Sequence, residues 1–418
     1  MQTTTLGLTP SFGFGDRTGL ATPGHIAAMR STGTSIAPIF AQQSIREMSR
    51  TSRTPAQVMA DAARAVDASG YCNETGADAD HLKTEADIES TVSAGFTFFT
   101  LDPSGDVDAD ADSDSNAVLM EKVVQLGESV RWMDRFIGTR VKLAGNTSIE
   151  LDEMSCRRAA VKYGRAIDTA CRLADCVSRT ARAANRPYEI ELSIDETPHP
   201  TSLAEHWLIA SRCREKGVTL ISLAPRFVGE FEKGIDFKGN REAFVTSLVD
   251  HARIADELGP YKLSLHSGSD KLSIYGPLAR ATQGRFHVKT AGTSYLEALR
   301  VAAREDASLF REILIASRLR YSTDKLTYHV SATLDSAPDP TETTDMEILE
   351  AEYLGNWSKV PAGEGFTQPG RQILHVTFGS VLCDPVIGSR LRICLESHPE
   401  TYREVLTDHF SRHLHALA

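Results

Sequence analysis

The stretch that decides the fold is residues 261–271, which read YKLSLHSGSDK. From Lys262 to His266, polar side chains alternate with leucines, so one face of the segment is polar and the other is apolar. This period of two predicts a β-strand. Hydroxyl groups, the carboxylate of Asp270 and the ammonium of Lys271 follow where a loop leading to a helix should begin. The segment therefore combines a strand with a group of reactive side chains at its carboxyl end.

Segments of the same kind alternate with amphipathic helical stretches along most of the chain. Such alternation is typical of βαβ units and a parallel sheet, and eight units predict a (β/α)8 TIM-type barrel. The eight predicted strands are 11–15, 35–40, 95–102, 188–195, 217–224, 262–267, 285–290 and 326–332. For the last of these, an alternative is that the residues around His329 close a helix.

Two regions exceed the length of an ordinary βα unit. The connection after the third predicted strand, about 103–187, must contain extra helices and is predicted to be a helical insertion. Residues from about 340 to 418 are predicted to form a helical C-terminal extension. We therefore expect one barrel catalytic domain over residues 1–418 with these two additions.

Composition limits the classes of function. The formal net charge of −11, from 45 Lys and Arg against 56 Asp and Glu, gives no electrostatic reason to expect nucleic-acid binding. No apolar run is long enough for a transmembrane helix, and no signal peptide is recognisable, so no membrane association is expected. Seven cysteines without a C-x-x-C pair indicate free thiols in a reducing cytosol. The chain is compatible with a homo-oligomer.

Two adjacent carboxylates end the predicted strand at 188–195. In YEIELSIDETP the isoleucines and Leu192 alternate with acidic residues and Ser193, so the acidic face points into the barrel. Asp195 and Glu196 then lie at the carboxyl end, where barrel enzymes carry their active sites. Carboxylates so placed can divide two tasks, metal binding and proton transfer. We assign proton transfer to Asp195 and metal binding to Glu196, with the reverse assignment left open.

Three predicted strands each place one histidine on the inward face: His266, His287 and His329. With Glu196 they form a set of imidazoles and a carboxylate. Such a set suits one divalent cation of zinc, manganese, nickel or cobalt. The GFGDRTG segment at 13–19 lacks the third glycine of a dinucleotide fingerprint, so no NAD is expected.

Other polar residues near strand ends suit a polyhydroxylated or anionic small molecule. Amides and hydroxyls pair with sugar hydroxyls, and Arg or Lys binds a carboxylate. The predicted substrate-binding residues are Asp16, Gln43, Arg226, Lys271, Lys289 and Ser331. The two lysines also leave open a Schiff-base mechanism.

Several long segments resemble the tagaturonate/fructuronate epimerases of bacterial hexuronate catabolism. They include FGFGDRTGLATPGHIAA (12–28), ELSIDETPHPTSLAEHWLIA (191–210), SLAPRFVGEFEKGIDFKGN (222–240), KLSLHSGSDKLSIYGP (262–277) and FHVKTAGTSYLEALR (286–300). The resemblance implies a metal-dependent enzyme that interconverts D-tagaturonate and D-fructuronate, and some members act on tagatose and fructose. It also implies that acid/base and metal positions fall on or near Asp195, Glu196, Asp270, His287 and His329.

The implied substrates differ at C4 in ketose numbering, which is β to the ketone. Simple removal of an α-proton cannot invert that carbon, which leaves retro-aldol cleavage of C3–C4, double enolisation or transient oxidation. The last would need a nicotinamide, for which no dinucleotide fingerprint is present. We favour retro-aldol chemistry in which a carboxylate takes the hydroxyl proton and Asp270 returns one. The alternatives are a metal-dependent aldolase or ketose isomerase on the same barrel, and a sugar-acid-binding protein without activity.

Overall fold

The structure, a computed structural model, describes residues 1–418. It contains ten strands: β1 (Ser11–Gly15), β2 (Ala37–Ser44), β3 (Gly76–Leu82), β4 (Phe98–Leu101), β5 (Thr139–Lys142), β6 (Ser148–Leu151), β7 (Glu189–Ile194), β8 (Ser222–Pro225), β9 (Lys262–Leu265) and β10 (Phe286–Thr290).

Sixteen α-helices connect and follow these strands. They are α1 (Thr22–Thr32), α2 (Ile45–Arg50), α3 (Pro55–Ser69), α4 (Glu85–Ala94), α5 (Asn116–Leu126), α6 (Glu153–Ala183), α7 (Leu203–Glu215), α8 (Arg241–Leu258), α9 (Leu272–Ala281), α10 (Thr293–Glu305), α11 (Ala307–Asp324), α12 (Met346–Leu354), α13 (Pro369–Val376), α14 (Phe378–Leu382), α15 (Ile387–Ser397) and α16 (Pro399–Leu417). None of them combines the length and apolar character that crossing a membrane requires.

Eight parallel strands close into a barrel in the order β1, β2, β3, β4, β7, β8, β9, β10, and β10 pairs back onto β1. The predicted (β/α)8 fold is confirmed. Strands β5 and β6 lie outside the barrel as a separate antiparallel pair. Side chains between barrel and helices form one continuous apolar core, as the outward-facing leucines and isoleucines of the strands predict.

Helix ends near the barrel follow local sequence signals. Thr84 caps α4 by accepting a hydrogen bond from the Asp87 backbone N–H, and the Asp87 side chain accepts one in return. Helix α4 ends at Gly95, whose φ of 101° lies in the left-handed region that favours glycine. Ser202 and Glu205 form the same reciprocal cap at the start of α7. These signals fix where each helix begins relative to the strand before it.

Strand β3, which reads GADADHL, was absent from the predicted set. It contains no Val, Ile or aromatic residue, so it lacks the composition that usually marks a strand. Its signal is the alternation of Ala77 and Ala79 with Asp78 and Asp80 between two helices. Because β3 belongs to the barrel, the long connection at 103–187 follows the fourth barrel strand, and its predicted place after the third is wrong.

The predicted strand at 326–332 is also wrong. Helix α11 ends at Asp324, a single 3-10 turn covers Lys325–Thr327, and the chain then runs as an irregular segment across the barrel mouth. No place remains in the barrel for it, since β10 pairs directly with β1. Its alternating pattern arises because Tyr328 and Val330 pack against the apolar core while the residues between them face solvent.

The connection at 103–187 contains α5, the β5–β6 hairpin and α6, a helix of 31 residues that packs against α4 and α7. After residue 340 the chain is helical from α12 to α16. Helix α16 packs against α1, α9 and α10, so the last helix lies over both the first and the late units of the barrel. This arrangement places side chains of α13 and α16 beside the loop that follows β9.

The barrel interior is ionic where many TIM barrels are filled with aliphatic side chains. Lys289 of β10 contacts Asp78, Asp80 and Glu191 with nitrogen–oxygen distances of 2.9, 2.7 and 2.9 Å. Lower in the barrel, Lys262 donates to the Ser11 hydroxyl at 3.0 Å. The inward polar faces predicted for the strands therefore meet as a compensated network of charges.

Candidate active site

A cavity of about 470 Å³ opens at the carboxyl end of the barrel. Its walls come from the ends of β2, β3, β7, β8, β9 and β10, from the turn after β1, from α2 and α13, and from the irregular segment after α11. Histidines, carboxylates and cations dominate the lining. They are Arg17, Arg46, Glu47, Asp80, His81, Asp195, Glu196, Arg226, Glu230, Lys233, His266, Lys289, His329 and His375.

His81 enters this cavity from β3. Its backbone has a φ of 53°, and the pairing of β3 with β4 shifts register between Ala79 and Leu82, which turns the imidazole toward the mouth. Its Nδ1 lies 3.0 Å from Oδ2 of Asp102, at the end of β4. Burial opposes protonation of His81, but Asp80 and Asp102 outweigh it and raise its pKa.

His266 enters from the opposite side, directly after β9. Its Nδ1 lies 3.1 Å from Asp195 and its Nε2 lies 2.8 Å from Glu191. Burial lowers the pKa of His266, but the attraction of these two carboxylates prevails and raises it to about 10. Burial likewise opposes ionisation of Asp195, and His266 reverses this by lowering the pKa of that carboxyl.

Two of the three groups of side chains suited to a metal lie at this cavity. One ligand atom each from His81, Asp195 and His266 lies within 4.8 Å of the others, and His81, Asp102 and Glu196 form an adjoining set. Two imidazoles and a carboxylate match the donor preference of zinc, manganese, cobalt and nickel. These donor atoms fit a divalent cation that displaces the protons which the carboxylates favour on the two imidazoles, because only a neutral imidazole binds a metal.

Glu196 is the loosely held carboxylate of this group. Its side chain is 35% exposed, and its nearest cations are Lys83 at 3.7 Å and Arg46 at 4.0 Å. Asp195, by comparison, accepts hydrogen bonds from both Ser193 and His266. The two adjacent carboxylates thus differ in their contacts: Asp195 is held by two hydrogen bonds, whereas Glu196 is partly exposed and has no cation nearer than 3.7 Å.

The structure separates the other two predicted histidines from this centre. His287 is fully buried inside the barrel below the cavity, with Nδ1 2.9 Å from the Ser11 hydroxyl and Nε2 3.6 Å from Asp78. His329 lines the cavity on its outer wall, where its 64% exposed side chain lies 2.6 Å from Glu230. Neither belongs to a group of ligand atoms with His266 or Glu196.

Asp270 and Lys271 leave the cavity altogether. The chain turns away after Ser269, which still lines the cavity. Asp270 adopts a φ of 62°, and its carboxylate forms a buried ion pair of 2.9 Å with Arg371 of α13. Burial opposes its ionisation, but Arg371 outweighs it and the pKa of Asp270 falls to about 2. Lys271 donates to the backbone carbonyls of Glu232 at 2.8 Å and Ile235 at 2.5 Å.

The remaining predicted substrate-binding residues occupy several environments. Lys289 lines the cavity floor, and Arg226 lines its wall while donating to the Gly229 carbonyl at 2.9 Å. Ser331 lies outside the lining and donates to Glu232 at 2.7 Å.

Gln43 and Asp16 lie beside a separate, smaller cleft. Both amide atoms of Gln43 are buried without a hydrogen-bond partner. Asp16 orders the turn after β1, accepting from the backbone N–H groups of Thr18 at 3.0 Å, Gly19 at 2.7 Å and Ala21 at 2.8 Å.

Several residues of the cavity lining were not among the predicted site residues, and His81, Lys233 and His375 are three of them. Alternation in β3 would turn His81 outward, because it directly follows the inward Asp80, and only its positive φ and the register shift bring it into the cavity. Lys233 lies in the long loop between β8 and α8, and no sequence pattern distinguishes it from its neighbours.

A closed (β/α)8 barrel with paired histidines and carboxylates around a polar cavity at its carboxyl end defines a TIM-barrel enzyme for a small polar molecule. The family model described as UxaE, tagaturonate epimerase, matches residues 2–417. The chain belongs to this family of epimerases, which are isomerases.

Relatives of known name cover nearly the whole chain. A tagaturonate/fructuronate epimerase of Thermotoga maritima is 40% identical over 414 residues, covering 98% of this chain and 81% of that protein. The native crystal structure of the fructuronate-tagaturonate epimerase of Cohnella laeviribosi is 36% identical with a TM-score of 0.91, covering 100% of this chain and 83% of that one. A probable tagatose 6-phosphate kinase of Sinorhizobium meliloti, 12% identical with a TM-score of 0.51 over 98% of this chain and 100% of that one, shares the fold alone.

Proposed function

We propose that this enzyme interconverts D-tagaturonate and D-fructuronate by inverting C4. The observation that carries the proposal is the convergence of His81, Asp195 and His266 around the polar cavity, in a chain of the tagaturonate epimerase family. Imidazoles, carboxylates and cations around about 470 Å³ suit a six-carbon sugar acid, which offers hydroxyls, a ketone and a carboxylate.

His81, Asp195 and His266 would hold a divalent cation. Asp195 is the better ligand of the two adjacent carboxylates because Ser193 and His266 already fix its position. When bound, the cation would supply Lewis-acid stabilisation of the oxygen anion that carbon–carbon cleavage creates.

Glu196 would act as the acid/base group. Its carboxylate takes the proton of the C4 hydroxyl, the electron pair of the C3–C4 bond moves into an enolate at C2–C3, and C4 becomes an aldehyde. Rotation of the aldehyde presents its other face, the C3–C4 bond forms again, and Glu196 returns the proton to the C4 oxygen. Asp270 has no part in this sequence, since it is buried in an ion pair with Arg371.

A Schiff-base route has less support. A lysine must lose its proton to attack a ketone, and the carboxylates around Lys289 overcome its burial and raise its pKa well above the ordinary value. Lys271 is directed at backbone carbonyls outside the cavity lining.

The test is epimerisation of D-tagaturonate by protein stripped with a chelator and then supplied with manganese, zinc, nickel or cobalt. We expect D-fructuronate only after metal is restored. Full activity of protein with no measurable metal would contradict the metal centre, and three-carbon products would indicate an aldolase. In deuterated water, retro-aldol chemistry predicts little deuterium at C3, whereas incorporation at the turnover rate would favour double enolisation.

A further inference from the structure

The loop between β8 and α8 brings one cation into the cavity without an acidic partner. The five cations of the lining are Arg17, Arg46, Arg226, Lys233 and Lys289. Four of them have a carboxylate oxygen within 4.0 Å: Arg17 lies 2.6 Å from Glu47, Lys289 lies 2.7 Å from Asp80, Arg226 lies 3.6 Å from Glu230 and Arg46 lies 4.0 Å from Glu196. Lys233 has none, and its side-chain hydrogen bond goes to the Ser267 hydroxyl at 2.5 Å.

The charged form of Lys233 is unfavourable in these surroundings when no ligand is bound. Burial lowers the pKa of Lys233, and the nearby positive charge of Arg46 lowers it further. Asp195 and Glu196 attract it only from beyond contact distance. An anion bound in the cavity would offset both the burial of the ammonium and its repulsion by Arg46. Lys233 would then form a strong, charge-assisted hydrogen bond with that anion.

Hydrogen bonds from two buried side chains fix the backbone around Lys233. Lys271 donates to the carbonyls of Glu232 and Ile235, and Arg371 donates to the carbonyl of Gly234 at 2.7 Å. Both donors are fully buried. The carbonyls on either side of Lys233 are thus held by two buried cations, so little backbone freedom is lost when a ligand binds.

We propose that Lys233 binds the carboxylate of the sugar acid and so selects the uronate over the neutral ketose. The inference rests on the proposed function, since it names the group that recognises one end of that substrate. It also assigns Lys271 and Arg371 as positioning residues that act through the loop and do not touch substrate. Because the ammonium faces the same cavity as His266 and Asp195, it anchors one end of the molecule while C4 lies near those groups.

The test compares Lys233→Met with the wild type on D-tagaturonate and on the neutral ketose D-tagatose. Loss of one charge-assisted hydrogen bond should lower kcat/KM for the uronate by about 10- to 100-fold and change that for the ketose by less than about 3-fold. The matched control is Lys238→Met, on the same loop but outside the cavity lining, which should change neither. Equal losses of Lys233→Met on both substrates would overturn the proposal.

A binding measurement keeps the inference separate from the proposed reaction. Calorimetric titration with D-galactonate and with galactitol, a sugar acid and its uncharged counterpart, needs no turnover. The wild type should prefer the acid, and Lys233→Met should abolish that preference. A preference retained in the variant would refute the role of Lys233. If the wild type prefers the acid but fails to epimerise D-tagaturonate, the reaction is wrong and the carboxylate site stands.

The positioning role of Lys271 is tested separately, by comparing KM and kcat on the two substrates. Lys271→Met should raise KM for D-tagaturonate by roughly the same factor as Lys233→Met while leaving kcat and the kinetics on D-tagatose nearly unchanged. A variant that loses activity equally on both substrates would show that Lys271 supports the fold alone.

Discussion

The imidazole rings of His81 and His266 meet edge to face at the carboxyl end of the barrel, with their centroids 5.1 Å apart and their planes at 71°. They come from β3 and β9, which lie four places apart among eight strands and are therefore on opposite sides. Each ring has a carboxylate partner, Asp102 for one and Asp195 for the other. This opposition brings two imidazoles and the carboxylate of Asp195 together in the cavity.

His81→Ala should therefore remove metal and activity together. We expect metal affinity to fall by more than about 100-fold, because even the loss of a partner behind a ligand costs roughly 10- to 100-fold. Metal content after dialysis is measured by mass spectrometry, beside kcat/KM. His329→Ala and His287→Ala are the matched controls and should retain metal. Loss of metal in either control, with retention in His81→Ala, would reverse the assignment.

The two adjacent carboxylates should behave differently. Asp195→Asn should lose metal, since it removes the proposed ligand, whereas Glu196→Gln should keep metal and lower kcat by about 100-fold or more, since it removes the group proposed to move the proton. Both variants are measured for metal content and for kcat at saturating substrate. The opposite pattern would exchange the two roles.

Asp270→Asn is expected to act on stability. It leaves the guanidinium of Arg371 buried without its carboxylate, which costs about 3–5 kcal/mol in the free energy of unfolding. Asp408→Asn, which breaks the exposed pair with Arg412 on α16, should cost less than about 1 kcal/mol. Urea unfolding measures both. An Asp270→Asn protein of wild-type stability but without activity would instead favour a catalytic role.

Lys262 should make the stability of the protein depend on pH. Its burial lowers its pKa to about 8, and the attraction of Glu189 and Glu191 offsets only part of this. Between pH 8 and about 10.5 the unfolded chain holds a proton that the folded chain has released, so the free energy of unfolding rises with pH.

Lys262→Met removes that contribution. The stability of the variant relative to wild type should therefore decrease by about 2–3 kcal/mol between pH 7 and pH 11. Lys142→Met, at an exposed position in β5, is the control and should show no such trend. A difference between Lys262→Met and wild type that does not change with pH would mean that Lys262 keeps its proton throughout.

Some of this molecule follows from the sequence alone. Alternation of polar and apolar residues fixes which strand side chains point into a barrel, and this was sufficient for the inward faces of β7, β9 and β10. It also located Asp195, Glu196 and His266 at strand ends. The same rule did not predict β3, because this strand consists of small and acidic residues and lacks the usual β-branched side chains.

Tertiary structure decided the rest, because alternation gives the direction of a side chain and not its height in the barrel. His287 pairs with Ser264 in the register of β10 and β9, two residues below His266, so it is buried beneath the cavity. The positive φ of Asp270 directs its side chain away from the cavity, where it forms an ion pair with Arg371, a residue distant in sequence. The meeting of His81 with His266, and the unpaired charge of Lys233, depend on barrel closure and on loop contacts that no local pattern encodes.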